Sequence, residues 1–283
     1  MTSSLNIRAA LSLGAQLLNV SPSALLDCEV LLAYVLKKNR SYLRAWPDKT
    51  LRANEQSSFT ALLMRRQTGE PVAHITGTRE FWSRPFQVSP DVLIPRPETE
   101  LLIEITQQKF QPHQPLNILD LGTGSGAIAI TLALEFKQSK VIAIDASSAA
   151  LTIAKKNAKQ LGANNVDFIY SDWFTNAPNN TFDLIISNPP YICNTDPHLS
   201  AGDVRFEPSS ALISEQQGLR DIKHIISYAP NFMCDDSYLL FEHGYQQGND
   251  VQSLLKSAQF KAIEQFNDLQ DHTRATLGRK PSS

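Results

Sequence analysis

The segment NILDLGTGSGAIAI, residues 117–130, decides the fold. Ile118, Leu119 and Leu121 form an apolar run of strand length, the turn Gly122-Thr123-Gly124-Ser125-Gly126 follows without a break, and a helical apolar stretch starts at Ala127. Strand, glycine turn and helix make the opening half of a βαβ unit. Glycines at such a turn let backbone amides approach a ligand, and the open helix N-terminus favours negative charge. The loop alone does not name the ligand. Gly122, Gly124 and Ala127 also satisfy the dinucleotide pattern GxGxx(G/A), and a tight turn with no ligand has the same form.

Working outward, the next apolar run, KVIAID, closes on Asp145, where a carboxylate can accept hydrogen bonds from both hydroxyls of a ribose. Loop and carboxylate together describe a nucleoside-containing ligand. Asp172 closes the third run, VDFIYSD, and Trp173 follows it. Asp172 can reach a base there or serve as a turn residue, and Trp173 can contact the ligand or plug the core. Asp120, at the end of the first strand, can bond loop amides. Downstream come a helix over Ser147–Leu161, the run FDLIISN, a helix from about Glu215 to Tyr228, SYLLFEHG, a helix to Ala258, and strands around Phe260–Phe266 and Arg274–Leu277. This alternation predicts an α/β domain built on a doubly wound parallel sheet.

The chain before residue 70 reads differently. Apolar residues recur at helical spacing around Ile7, Ala10 and Leu11 and again from Leu25 to Val35, with Ser21-Pro22 as the start signal of the second helix. A further helix spans about 54–67, and alternation between Pro71 and Pro97 suggests a hairpin or extended linker. Charge divides the same way, with a net of +5 over residues 1–90 and −7 over 91–283. A composition that is 42% hydrophobic and 19% charged excludes a disordered or fibrous chain. The charge-free run between Asp120 and Glu135 is too short to span a bilayer, so no membrane association is expected. Residues 1–20 lack the pattern of a secretion signal. Three widely spaced cysteines, Cys28, Cys193 and Cys234, fit a reducing compartment, so the cytoplasm is expected. No histidine or cysteine spacing indicates a metal.

The chemistry is read from FDLIISNPPY, residues 182–191. In a doubly wound sheet the end of this strand lies beside the glycine loop. Pro189 and Pro190 fix the backbone and remove two donors, leaving a stiff turn that offers acceptors only. An NH₂ on an sp² carbon has a delocalised lone pair and attacks carbon poorly. The Asn188 side-chain oxygen and the Pro189 carbonyl can hold both its hydrogens and aim the nitrogen at an electrophilic methyl group. The nitrogen gains positive charge during attack, so these acceptors bind the transition state more tightly than the ground state. Tyr191 can stack on the planar group. Loop, carboxylate and turn together point to an S-adenosyl-L-methionine-dependent N-methyltransferase that releases S-adenosyl-L-homocysteine.

At these residues the sequence resembles the bacterial PrmC/HemK family, the glutamine-N5 methyltransferases of peptide chain release factors. The likeness includes GEPVAHITGTREFW (69–82), FQVSPDVLIPRPETE (86–100), FEPSSALIS (206–214), EHGYQQG (242–248) and TLGR (276–279). It implies a helical substrate-recognition domain over 1–72, a β-hairpin linker over 73–97, and a Rossmann-like class I methyltransferase domain over 98–283 that ends in an antiparallel strand. By resemblance, Gly122, Thr123, Gly124, Ser125, Gly126, Asp145, Trp173 and Asn188 contact the cofactor, with Asp172 added from its place at the end of the third strand, while Asn188, Pro189, Pro190 and Tyr191 hold the substrate. That substrate is the glutamine of the Gly-Gly-Gln loop of release factors 1 and 2. Glu242 and His243 read as pocket residues or as helix-entry groups. Two other functions compete: methylation of an amino group in RNA or DNA, and a non-catalytic cofactor-binding module. A sequence pI near 6.3 and the lack of a base-recognition platform speak against direct DNA binding.

Overall fold

The structure, a computed structural model, describes residues 5–18, 21–200 and 202–282. The signal-peptide reading therefore rests partly on residues 1–4, 19 and 20, which lie outside those described, as do residue 1 of the expected helical domain and residues 201 and 283 of the expected methyltransferase domain. Two compact units emerge, Met1–Thr78 with Ser200–Phe206, and Arg79–Leu199 with Glu207–Ser283.

The first unit is helical, with α1 (Ile7–Leu17), α2 (Ala24–Leu36), α3 (Arg40–Ala45), α4 (Ala53–Gln67) and α5 (Val72–Thr76). Ile7, Ala10, Cys28, Leu31, Leu32, Phe59 and Leu63 form its buried centre. Asn6 and Asn39 cap α1 and α3 through their side chains. The start of α2 differs from expectation, because Ser23 and not Ser21 is its N-cap. Ser21 Oγ instead accepts the Ser23 amide and donates to Asp27, so it closes a turn ahead of the helix. Asp27 is buried and also takes Arg66 Nε at 2.8 Å, while Arg66 Nη1 reaches Asp203 at 2.9 Å. The short helices α3 and α5 carry too few residues for a periodic signal.

In the second unit, β1 (Thr78–Phe81) and β2 (Arg84–Gln87) form a hairpin. Its two-residue loop, Trp82-Ser83, has φ of 51° and 57°, the positive values that a twisted two-residue hairpin turn requires. Phe81 and Phe86 meet edge to face at 6.0 Å, and Arg84 bonds Glu135 at 2.7 Å. After α6 (Glu100–Lys109) the chain forms β3 (Asn117–Leu121), α7 (Ala127–Glu135), β4 (Lys140–Asp145), α8 (Ser148–Leu161), β5 (Val166–Tyr170) and β6 (Phe182–Ser187). It continues through α9 (Glu215–Gly218), α10 (Arg220–Tyr228), β7 (Met233–Glu242), α11 (Gly248–Ser257), β8 (Lys261–Asn267) and β9 (Thr273–Arg279).

These strands build one seven-stranded sheet in the order β5-β4-β3-β6-β7-β9-β8. β3 to β7 are parallel, and β9 runs antiparallel between β7 and β8. Successive side chains point to opposite faces, so Ile118 enters one core with Ile103 and Ile130 while Leu119 enters the other with Ile185 and Ile225. The chain leaves β3 for β4 and β5 on one side and returns to β6 on the other. The carboxyl ends of β3 and β6 therefore flank the crevice where such sheets bind ligands.

The helix expected over Glu215–Tyr228 is broken. Gln216 and Gln217 sit at φ of 53° and 60°, and the regular helix begins only at Arg220. Gly218, at φ +83°, passes so close to Tyr191 that a Cβ there would lie 2.0 Å from the Tyr191 carbonyl oxygen. Tertiary packing beneath the NPPY turn overrides local helical preference. No described helix is long and apolar enough to cross a membrane.

Candidate active site

The glycine loop is tied to the neighbouring strand before any ligand is considered. The Gly122 and Thr123 amides both donate to the Ile144 carbonyl at 2.9 Å. Gly124 N then donates to Asp145 Oδ2 and Ser147 N to Asp145 Oδ1, each at 2.8 Å. Burial raises the pKa of this carboxyl, and the two amides counteract the rise. Each oxygen keeps a lone pair for a further donor. Gly126 has a different task from its neighbours. At φ +82° its missing Cβ would sit 2.6 Å from Ile130 Cδ1 and 3.1 Å from Ala154 Cβ, so it serves the packing of α7 and α8.

Ser187 Oγ donates to the Leu121 carbonyl at 2.7 Å and fastens the end of β6 to the end of β3. Asn188 is thereby placed beside the loop, with its Nδ2 donating to Thr99 Oγ1 at 3.2 Å. Its Oδ1 remains to accept. Gly122, Gly124, Asp145, Asp172, Trp173, Asn188 and Pro190 line one cleft of about 350 Å³, within the size range of small-molecule sites. Thr123 and Ser125 are buried behind it, and the Ser125 carbonyl accepts Asn157 Nδ2 at 2.9 Å. Pro189 is buried between Asn188 and Pro190, which both line the cleft, and Tyr191 is half-buried. The Tyr191 ring packs on the apolar cluster of Leu239 and Phe241, its hydroxyl donates to Glu242 Oε1 at 3.3 Å, and burial pushes its pKa up.

Two buried carboxyls stand close behind these elements. Asp120 is fully buried, neither oxygen has a hydrogen bond of good geometry among the described residues, and desolvation lifts its pKa to about 7 against the opposing Thr123 hydroxyl and Ala129 amide. Glu242 is likewise raised to about 7 by burial, against the stabilising hydroxyls of Thr99 and Tyr191. His243 is a core residue, not a pocket residue. Its Nε2 meets Thr276 Oγ1 at 2.8 Å, its Nδ1 meets the Gly244 carbonyl at 3.0 Å, and burial lowers its pKa.

Sequence reasoning missed several parts. Asp91 to Leu93, Pro208, Ser210, Ala211 and Ile213 supply cleft walls. Glu207 joins them by accepting the Ile94 amide at 3.0 Å and pairing with Arg96. Gln247 bonds the Tyr191 and Gln217 carbonyls at 3.0 and 3.1 Å. The family likeness quoted these segments, but none carries a chemical motif by itself.

The residues present fit S-adenosyl-L-methionine. The two glycines on the cleft leave room along the backbone, with no atom within 4 Å of a Cβ built on Gly124. A carboxylate with spare lone pairs suits a ribose, and the Trp173 ring supplies an apolar wall. Among the described residues no group of three or more His, Cys, Asp or Glu could hold a metal ion.

Residues 112–270 match the family described as "Methyltransferase domain", and residues 9–77 match "PrmC N-terminal domain". The release factor glutamine methyltransferase of Vibrio cholerae is 48% identical over 279 residues, 98% of this chain and 97% of that protein. The chain belongs to the release factor glutamine methyltransferase family. The Escherichia coli release factor glutamine methyltransferase is 45% identical over 262 residues, covering 93% of this chain and 94% of its own length. Among solved structures, a methyltransferase from Pyrococcus furiosus superposes with a TM-score of 0.54 at 14% identity, over 80% of this chain and 100% of that one. At that identity it speaks for the fold alone, which this release factor glutamine methyltransferase family member shares with it.

Proposed function

We propose that this chain transfers a methyl group from S-adenosyl-L-methionine to the side-chain amide nitrogen, N5, of the glutamine in the Gly-Gly-Gln motif of release factors 1 and 2, modulating translation termination in the cytoplasm. The observation that carries this reading is Asn188, held by Thr99 on its nitrogen and open on its oxygen, in the same cleft as Gly124 and Asp145. The names of relatives that match nearly the whole chain support the substrate class.

When bound, S-adenosyl-L-methionine supplies an electrophilic methyl carbon on a sulfonium. Asp145 accepts the ribose hydroxyls while keeping the Gly124 and Ser147 amides. Gly122, Gly124, Asp172 and Trp173 form further walls of that cofactor site, and Thr123, Ser125 and Gly126 support the loop from behind. Asn188 Oδ1 and the Pro189 carbonyl accept the two hydrogens of the glutamine amide and orient its nitrogen, with Pro190 stiffening the turn. Positive charge developing on that nitrogen strengthens both hydrogen bonds, so no strong base or metal is needed. Tyr191 sets the turn from below through Glu242, and the helical unit takes part in recognising the release factor.

Incubation with a release factor and methyl-labelled S-adenosyl-L-methionine, followed by mass spectrometry, should place one methyl on the Gly-Gly-Gln glutamine. No label there at saturating cofactor, or transfer to RNA or DNA and not to protein, overturns the assignment.

A further inference from the structure

Glu242 closes β7, is buried, and forms no part of the cleft wall. The Tyr191 hydroxyl donates to its Oε1 at 3.3 Å. Its Oε2 is buried with no hydrogen bond of good geometry among the described residues, and the Thr99 hydroxyl acts on the carboxylate beside that of Tyr191, both opposing the rise that burial causes. Thr99 Oγ1 in turn takes Asn188 Nδ2 at 3.2 Å. An ionised carboxylate only accepts hydrogen bonds, and a threonine hydroxyl has a single hydrogen. Once that hydrogen points at Glu242, the Thr99 oxygen shows only lone pairs to Asn188, and an amide meets lone pairs with its NH₂ end. The two ends of an asparagine amide are nearly the same shape, so packing alone does not choose between them.

We propose that Glu242 and Thr99 are positioning residues for methyl transfer, which use hydrogen-bond direction to lock the Asn188 amide with its oxygen toward the cleft. The inference rests on the reading above that this oxygen accepts from the nucleophilic NH₂ group. The same carboxylate anchors Tyr191, so one buried group orients both ends of the NPPY turn.

Glu242→Gln tests direction with little change of volume. Its amide NH₂ can donate to Thr99, which turns the Thr99 hydrogen toward Asn188 and reverses that amide. Thr99→Val removes the link and Thr99→Ser preserves it. We expect Glu242→Gln and Thr99→Val to lower kcat by about tenfold or more, with cofactor Kd in calorimetry held within about twofold. Thr99→Ser should restore most of the wild-type rate. Wild-type turnover in Glu242→Gln, a Thr99→Ser enzyme as slow as Thr99→Val, or loss of rate in step with loss of cofactor affinity would each overturn the proposal. Wild-type transfer to the release factor is measured first, and its failure counts against the substrate assignment. The relay is then read without substrate from the side-chain ¹H–¹⁵N resonances of Asn188, assigned with Asn188→Ser. They should move in Glu242→Gln and stay in Thr99→Ser, and unmoved resonances in Glu242→Gln sink the relay.

Discussion

The carbonyl oxygen of Tyr191 lies 2.0 Å from the point where a side-chain carbon of Gly218 would begin. Gly218→Ala must therefore move either the NPPY turn or the strained Gln216-Gln217 segment, besides paying for a side chain at φ +83°. We expect a lower melting temperature and a kcat reduced by about tenfold or more, because small displacements of a positioning group are costly. A variant with wild-type turnover would mean that the turn tolerates the shift.

Asn188→Ala removes the acceptor while leaving the loop and Asp145 intact. The expected loss in kcat is roughly 100- to 1000-fold, the usual effect of deleting one oriented transition-state hydrogen bond. Calorimetric cofactor affinity should change far less. Unchanged single-turnover rates would remove Asn188 from the chemistry.

Asp145→Ala combines two losses. The ribose acceptor disappears, and the Gly124 and Ser147 amides lose their 2.8 Å partners. Cofactor affinity should fall by about 10- to 100-fold, equivalent to about 1–3 kcal/mol for unpaired polar groups. Equal Kd values for wild type and variant in calorimetry would refute the ribose contact.

Asp120 makes stability depend on pH in a defined direction. Its carboxyl is raised from 3.8 to about 7, so the folded state holds a proton that the unfolded chain has released. The stabilisation from that proton is present below about pH 4 and lost as pH rises to 7. Asp120→Asn has nothing to release. Its melting temperature relative to wild type should therefore climb between pH 4 and 8, by on the order of 5 °C. A constant difference across that range would show that Asp120 ionises freely. Calorimetric scans at several pH values are sufficient.

Glu242 gives activity its own pH dependence. Thr99 and Glu98 before α6, Tyr191 after β6 and Arg274 on β9 all act on it, and burial still lifts the carboxyl to about 7. Only the ionised form accepts from both hydroxyls. Single-turnover rates at saturating cofactor should therefore rise as pH passes through about 7, and Glu242→Gln should flatten that step. An identical step in the variant would assign it to another group.

What could be read from the sequence was local. Gly122, Gly124, Asp145 and Asn188 follow strands at fixed short spacings, so periodicity and turn chemistry suffice to place them in one cleft. Thr99, Glu242 and Gln247 meet the NPPY turn across separations of 89, 51 and 56 residues, and nothing in their own neighbourhoods announces it. Gly126 carries the same motif signature as Gly124 but spends its missing side chain on Ile130, a distinction visible only once α7 and α8 are packed. Glu215–Tyr228 has a helical pattern that the close approach of Tyr191 to Gly218 interrupts. The half-buried Tyr191 ring, read as a stacking surface, packs against the apolar cluster with its hydroxyl on Glu242, a contact that its own neighbourhood does not announce.

Residues 200–206 group with the helical unit, where Arg66 holds Asp203 and Arg205 reaches the Thr68 carbonyl at 3.1 Å. The polypeptide thus crosses between the units at 78–79, 199–200 and 206–207. A gene fusion with one breakpoint after residue 78 would import a foreign Arg66 and Thr68 while leaving their counterparts behind in the host. Chimaeras in this family should recombine cleanly only when the short downstream piece travels with the N-terminal module, which ties the inheritance of both together.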